Sequence, residues 1–492
     1  MKRFIHKQRQ LMNVKCLLLV LVCIGMIWGC KSQQELPLPK EIPLHYRIGE
    51  ENITSDSSSL AALHWSGFFQ DENLASLIQI GLANNQDVLK TTERVRVARA
   101  RMQAARLGRL PEFNVGLGAM RRRFGHYTMD GVGNDDSNLS PTVPEDRLIP
   151  SPYQDFMVGV DFSWEVDIWG KLNMQKKQAL NRYLASEEMV NFTRTQLIAA
   201  ISEHYYRVVG LEKEIQILQK NIALQEETFE LGKSLKNSGE ESQLSIDQFE
   251  GLMLNSLGLL KQKDREIQSA RYQLFRLVGR YPFEWENSSL EEMDELPEVL
   301  ALGVPAELLR YRPDVREAER ELLAQQLEVD IAHTAFFPTV RLYGMGGFNA
   351  FELSKLFITP LSTVYQLAGG LTAPIFNRGR IQADYEMARA SQKIALLDYE
   401  QTVQSGFLEV LDLVNGYEII EEQVKIKDQE VLVQQRSVDN ASTMFRLGYA
   451  NYLDLINAQS RLLEAELEVV QLKVDQLANY AILYRALGGG WL

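Results

Sequence analysis

Phe156-Met157-Val158-Gly159-Val160-Asp161-Phe162-Ser163-Trp164-Glu165-Val166 is the stretch that decides the fold. Large apolar residues take every second position, and Met, Gly, Asp, Ser and Glu fall between them. Period two over eleven residues, with aromatic residues toward both ends, is the pattern and length of a membrane-crossing β-strand. A different pattern opens almost at once. Residues 168–236 contain no proline, and as one helix they would run roughly 100 Å at 1.5 Å per residue. Such a helix has no globular core to wrap. It must pack beside others, as a rod or as the staves of a barrel.

Both patterns return further along the chain. Asp87-Val88 stands 24 residues before Pro111, and Asp314-Val315 stands 24 before Pro338, a shift of 227. Gly170-Lys171 answers Gly379-Arg380, Gly239 answers Gly448, and Gly279 answers Gly488, all at a shift of 209. The 18 extra residues of the first copy lie between Pro111 and Gly170. There the Gly-, Asn-, Asp- and Pro-rich stretch 125–152 reads as a long loop. The chain is a tandem duplication. The first repeat, 74–279, is expected to hold a helix at 88–110, strands about 112–123 and 155–166, and long helices at 168–236 and 243–279. The second, 314–492, is expected to hold a helix at 315–337, strands about 338–348 and 363–375, and long helices at 378–446 and 451–488. Residues 280–313 link them.

The last helix carries a heptad of Leu453, Ile456, Ser460, Leu463, Leu467, Val470, Val474, Leu477, Ala481 and Tyr484. Alternating spacings of 3 and 4 face a partner helix in a left-handed coiled coil. Its counterpart (Ile246, Phe249, Met253, Leu260, Ile267, Leu274, Leu277) is interrupted by Ser256 and Lys263. Four strands cannot close a barrel, for which about eight is the practical minimum. Open edges in lipid leave backbone groups unpaired. The strands are therefore shared among subunits. The expected fold is mainly α, with long coiled-coil helices forming an α-barrel that continues a composite membrane β-barrel.

The first 29 residues read as a signal peptide: a basic Lys2, Arg3, Lys7, Arg9 and Lys15, then an apolar stretch at 16–28, too short to span a bilayer. Ile27-Trp28-Gly29-Cys30 resembles a lipobox with a bulky Trp28. Cys30 is the expected lipidation site, and an ordinary signal peptide with an incidental cysteine is the alternative. Residues 30–73 would form a lipid-anchored N-terminal segment. Cys16 and Cys23 leave with the signal, so no disulfide is expected. Charged residues make up 24% and the net charge is −13. No basic run points to nucleic acid. The six histidines are scattered, with no metal-ligand spacing and no phosphate loop. No enzyme, metal or cofactor beyond the lipid is expected.

Gly303-Val304-Pro305-Ala306-Glu307-Leu308-Leu309-Arg310-Tyr311-Arg312-Pro313-Asp314-Val315 resembles the signature of outer-membrane efflux lipoproteins of the TolC/OprM (NodT) family. Arg316 to Glu319, Ala335 to Pro338, Val166 to Lys171 and Pro374 to Arg380 continue the likeness, which runs from about 60 to 489. The resemblance implies a homotrimer in the outer membrane: twelve strands above a twelve-helix tube that extends into the periplasm, with an equatorial collar. It implies docking onto a periplasmic adaptor and an RND- or ABC-type inner-membrane pump that supplies the energy, the channel itself conducting small molecules passively. Arg312, Pro313 and Asp314 would set the turn from collar to tube. There Pro313 opens a helix without losing a needed donor, and Asp314 and Glu317 face the positive end of its dipole. Gly239, Leu447 and Gly448 would lie at the periplasmic tip, where the adaptor docks. Asp454, with Asn457 at the next position of such rings, would form an entrance gate. The local alternative makes Asp454 part of the cap begun by Asn451. A type I protein-secretion channel and a non-conducting structural spanner remain the other functional readings.

Overall fold

The computed structural model describes residue 43 and residues 60–293 and 305–491. Cys30 and the signal segment lie outside them. Two short helices, α1 (Glu72–Asn84) and α2 (Gln86–Leu107), lead into β1 (Glu112–Arg122). After α3 (Met129–Leu139) come β2 (Tyr153–Val166), the 68-residue α4 (Lys171–Ser238) and α5 (Gln243–Val278). The second half repeats the order as α6 (Pro313–Thr334), β3 (Thr339–Ala350), β4 (Thr363–Thr372), α7 (Arg380–Arg446) and α8 (Tyr452–Ala486).

Proline-free sequence lets α4 and α7 run uninterrupted, and both start from a left-handed glycine, Gly170 at φ 74° and Gly379 at φ 77°. Their packing changes along their length. Toward the strands the neighbour order is α2, α4, α6, α7; toward the far turns it is α5, α4, α8, α7. Between the two arrangements sits the main core. There Leu74 and Ile78 of α1 meet Ile198, Ile201 and Tyr205 of α4, Leu274 of α5, Val410 of α7 and Tyr484 of α8. Phe68 stacks on Tyr484 with centroids 4.0 Å apart, tying the start of the described chain to its end.

Because α8 lies between α7 and α4, it buries two seams where the sequence suggested one. Leu463, Val470, Val474, Leu477, Ala481 and Tyr484 of the heptad are buried, whereas Leu453 is 43% exposed. Near the turn the buried positions are instead Leu455, Ala458 and Leu462. The interruptions in α5 are also corrected. Ser256 is buried, and Lys263 reaches Glu214 of α4 at 2.7 Å and Glu266 at 3.3 Å. A paired charge thus holds a seam position.

The strands form one antiparallel sheet in the order β1-β2-β3-β4. The registers align one apolar face: Phe113, Val115 and Leu117 with Phe162, Val160 and Val158, then Gly344, Gly346 and Phe348, then Leu367 and Tyr365. The opposite face carries Asn114, Asp155, Asp161, Glu165, Arg341 and Asn349. β4 ends at Thr372 rather than 375, because Pro374 has no donor for the ladder. Stretch 125–152 is not wholly loop. Thr128 caps α3 by accepting from the Gly131 amide, and the Asn138 side chain exchanges two hydrogen bonds with the Ile149 backbone. Among the described residues no helix is long and apolar enough to cross a membrane.

Candidate functional site

The far turns of both repeats meet at one end of the helices. Gly239 adopts φ 83° and Gly448 φ 75°, a conformation that costs other residues roughly 1–2 kcal/mol. Each closes its helix with the same pair of bonds. Gly239 N donates to Lys236 O and Glu240 N to Leu235 O; Gly448 N donates to Phe445 O and Tyr449 N to Met444 O. This pair of hydrogen bonds satisfies carbonyls that a helix end leaves orphaned. Behind the turns Phe249, Phe445 and Leu455 form a small core, with the Phe249 and Phe445 rings 5.8 Å apart. Arg446 crosses to Glu227 of the other repeat at 3.2 Å. Leu447 is 64% exposed. It lines an open cleft with Glu240, Glu241, Tyr449, Asn451 and Asp454.

Asp454 is exposed and takes part in a full capping box. Its amide donates to Asn451 Oδ1 at 3.1 Å, and its Oδ2 accepts from the Asn451 amide at 3.2 Å. Asn457, one turn on, is also exposed.

The turn at Arg312 holds more than the sequence suggested. Pro313 opens α6. Arg312, buried, spreads its guanidinium over Asp314 at 2.7 Å, Glu409 of α7 at 2.8 Å and the Ala486 carbonyl of α8 at 2.7 Å. Glu409 also meets Arg485. Burial works against these charges, but the pairing outweighs it. Asp314 and Glu409 raise the Arg312 pKa, and Arg312 and Arg485 lower that of Glu409. Glu317 gains no such help: burial first, then Glu321 and Asp314, push its pKa up.

The first repeat builds the same junction with a neutral group. Asn85, 227 positions before Arg312, caps α2 and donates its amide to the Leu277 carbonyl at 2.9 Å, and Leu277 lies 209 before Ala486. The repeat shifts alone could have paired these residues. Beside each lies a glycine with no room for a side chain. A Cβ on Gly279 would stand 2.4 Å from Asn84 O, and one on Gly488 would stand 2.5 Å from the Tyr311 carbonyl carbon. Among the described residues no group of three or more His, Cys, Asp or Glu could hold a metal ion.

Residues 77–280 and 304–489 match the family described as outer membrane efflux protein. The chain belongs to that family. This efflux protein is 30% identical over 456 residues to the pyoverdine export outer membrane protein OpmQ of Pseudomonas putida, covering 92% of this chain and 94% of that one. It is 24% identical to the cation efflux system protein CusC of Escherichia coli over 472 residues, covering 95% and 98%. Its fold superposes on the outer-membrane channel OprN with a TM-score of 0.81 at 24% identity, covering 94% and 100%. The efflux protein resides in the outer membrane.

Proposed function

We propose that three copies of this chain close into one pore that passes small molecules outward across the outer membrane. The observation that carries this reading is the sheet: one face apolar, the other polar, and, among the described residues, β1 and β4 unpaired at its edges. An apolar face toward lipid with free edges is tolerated only when the edges pair with further copies. The helices are open in the same way, with α2 and α5 at one side and α7 at the other. Twelve strands and a helical tube follow from three copies, and a lipid on Cys30 adds an anchor.

The tip turns at Gly239, Leu447 and Gly448 are the docking end for a periplasmic adaptor and an inner-membrane pump, which selects and drives the cargo. Relatives are named for pyoverdine export and cation efflux, and the passage itself requires no chemistry from the chain. A photoreactive residue at Leu447 in living cells tests the docking. Trapping of an adaptor with an RND- or ABC-type pump supports it; trapping only of further copies of this chain removes the docking and leaves a stand-alone assembly.

Asp454 narrows the entrance in this reading, three carboxylates meeting at the tip, with Asn457 neutral behind them. Asp454→Ala is expected to raise single-channel conductance and abolish block by polyvalent cations, while removing one of the two hydrogen bonds of the capping box. Unchanged conductance with a lower melting temperature leaves Asp454 as a cap alone.

A further inference from the structure

We propose that Asp161 forms a second charge filter, set in the membrane-level barrel and separate from the tip. This rests on the closed trimeric barrel. The register places Asn114, Asp161, Met345 and Gln366 in one row across the four strands, on the polar face. Asp161 accepts a hydrogen bond from the neutral Asn114 amide at 3.2 Å. The row on one side is Gly116, Gly159, Gly347 and Val364, almost bare of side chains. The row on the other is Glu112, Ser163, Tyr343 and Ala368, which adds charge of the same sign.

The other carboxylates of this face differ. Glu165 is bound by Lys171 at 2.9 Å and Arg341 at 3.4 Å. Asp155, near the opposite end of β2, accepts from Asn349 at 2.6 Å. Arg341 pairs with Glu165, four residues along β2 from Asp161, about 13 Å at the rise of a strand. That exceeds the ~8 Å screening length of physiological salt. Arg122 lies farther still, opposite Tyr153. Among the described residues, Asp161 is thus the mid-strand carboxylate with no nearby cation on its face. Three copies would set three such charges around a lumen walled by low-dielectric sheet, where a field of one sign is focused. The glycine row beside them leaves those charges reachable by whatever passes. The filter favours cationic solutes and retards anionic ones.

Ser163→Cys places a thiol one row from Asp161, and no native cysteine lies beyond residue 30. In whole cells its rate of labelling is measured with a cationic trimethylammonium and an anionic sulfonate methanethiosulfonate, with Phe162→Cys on the apolar face as control. The cation-over-anion rate ratio at Ser163→Cys is expected to fall about two-fold or more when Asp161→Asn is added. It is expected to invert with Asp161→Lys and to survive Asp161→Glu. A ratio unmoved by Asp161→Asn and Asp161→Lys in chains that still reach the outer membrane overturns the filter while leaving the pore intact. Refusal of both reagents at Ser163→Cys, alike with Phe162→Cys, overturns the lumen itself and the filter with it.

Discussion

Arg312 and Asn85 occupy the same place in the two repeats and solve the same problem with different chemistry. Each donates to a carbonyl at the end of the return helix, and each abuts a glycine that must stay bare. Removing a buried ionic partner leaves other charges uncompensated, at about 3–5 kcal/mol, whereas losing a capping amide costs about 1–2 kcal/mol. Arg312→Met is therefore expected to lower the melting temperature of the purified protein more than Asn85→Ala. The loss should sit toward the lower end of its range, because Glu409 keeps Arg485. Equal effects would show that the charge adds nothing to the junction. Glu317 supplies the opposite case. Its folded pKa is raised above the ordinary glutamate value of about 4.3, so the folded state binds the proton more tightly. Stability is then greatest below that value and falls as pH rises through the folded pKa. Glu317→Gln is expected to raise the melting temperature at pH 7 and to match the native chain below about pH 4; no gain at pH 7 would refute this.

The elements were legible where one side of the chain faces one environment. Phe156 to Val166 alternates because β2 separates an apolar surface from a polar one, and the missing prolines of α4 and α7 speak for themselves. Legibility failed where an element faces two partners. The heptad beginning at Leu453 describes only the seam nearer the core, since a helix between two neighbours buries two stripes and a single-stripe search finds one. Lys263 looked like a break because its partner Glu214 is 49 residues away in sequence. The α3 helix was hidden by Gly, Asn and Asp, whose preference for turns is overridden by Thr128 at its start. Of the candidate sites, the glycines of the far turns stood out because left-handed caps need glycine, while the reach of Arg312 to α7 and α8 left no local trace. The sheet allows a direct test of its faces. Leu117→Lys puts a charge on the apolar side, worth about 2–4 kcal/mol against insertion at mid-membrane; Met157→Lys puts it on the polar side. Only the first is expected to deplete assembled protein in isolated outer membranes, and equal depletion would mean the faces are not distinguished by lipid.

At the scale of the whole molecule, the trimeric reading takes the two open edges of the sheet and of the helix layer as leaving each chain unfinished by itself. In the trimeric reading, completion depends on meeting two others, so the yield of pores responds to chain concentration more steeply than the yield of a self-sufficient fold. A defect in one chain is then shared by its neighbours. Where native and assembly-competent but blocked chains are made in equal amounts and mix at random, only about one pore in eight is wholly native. A second, faulty gene copy would thus be felt as a dominant trait, and a cell could throttle export by making few damaged chains rather than by removing the sound ones.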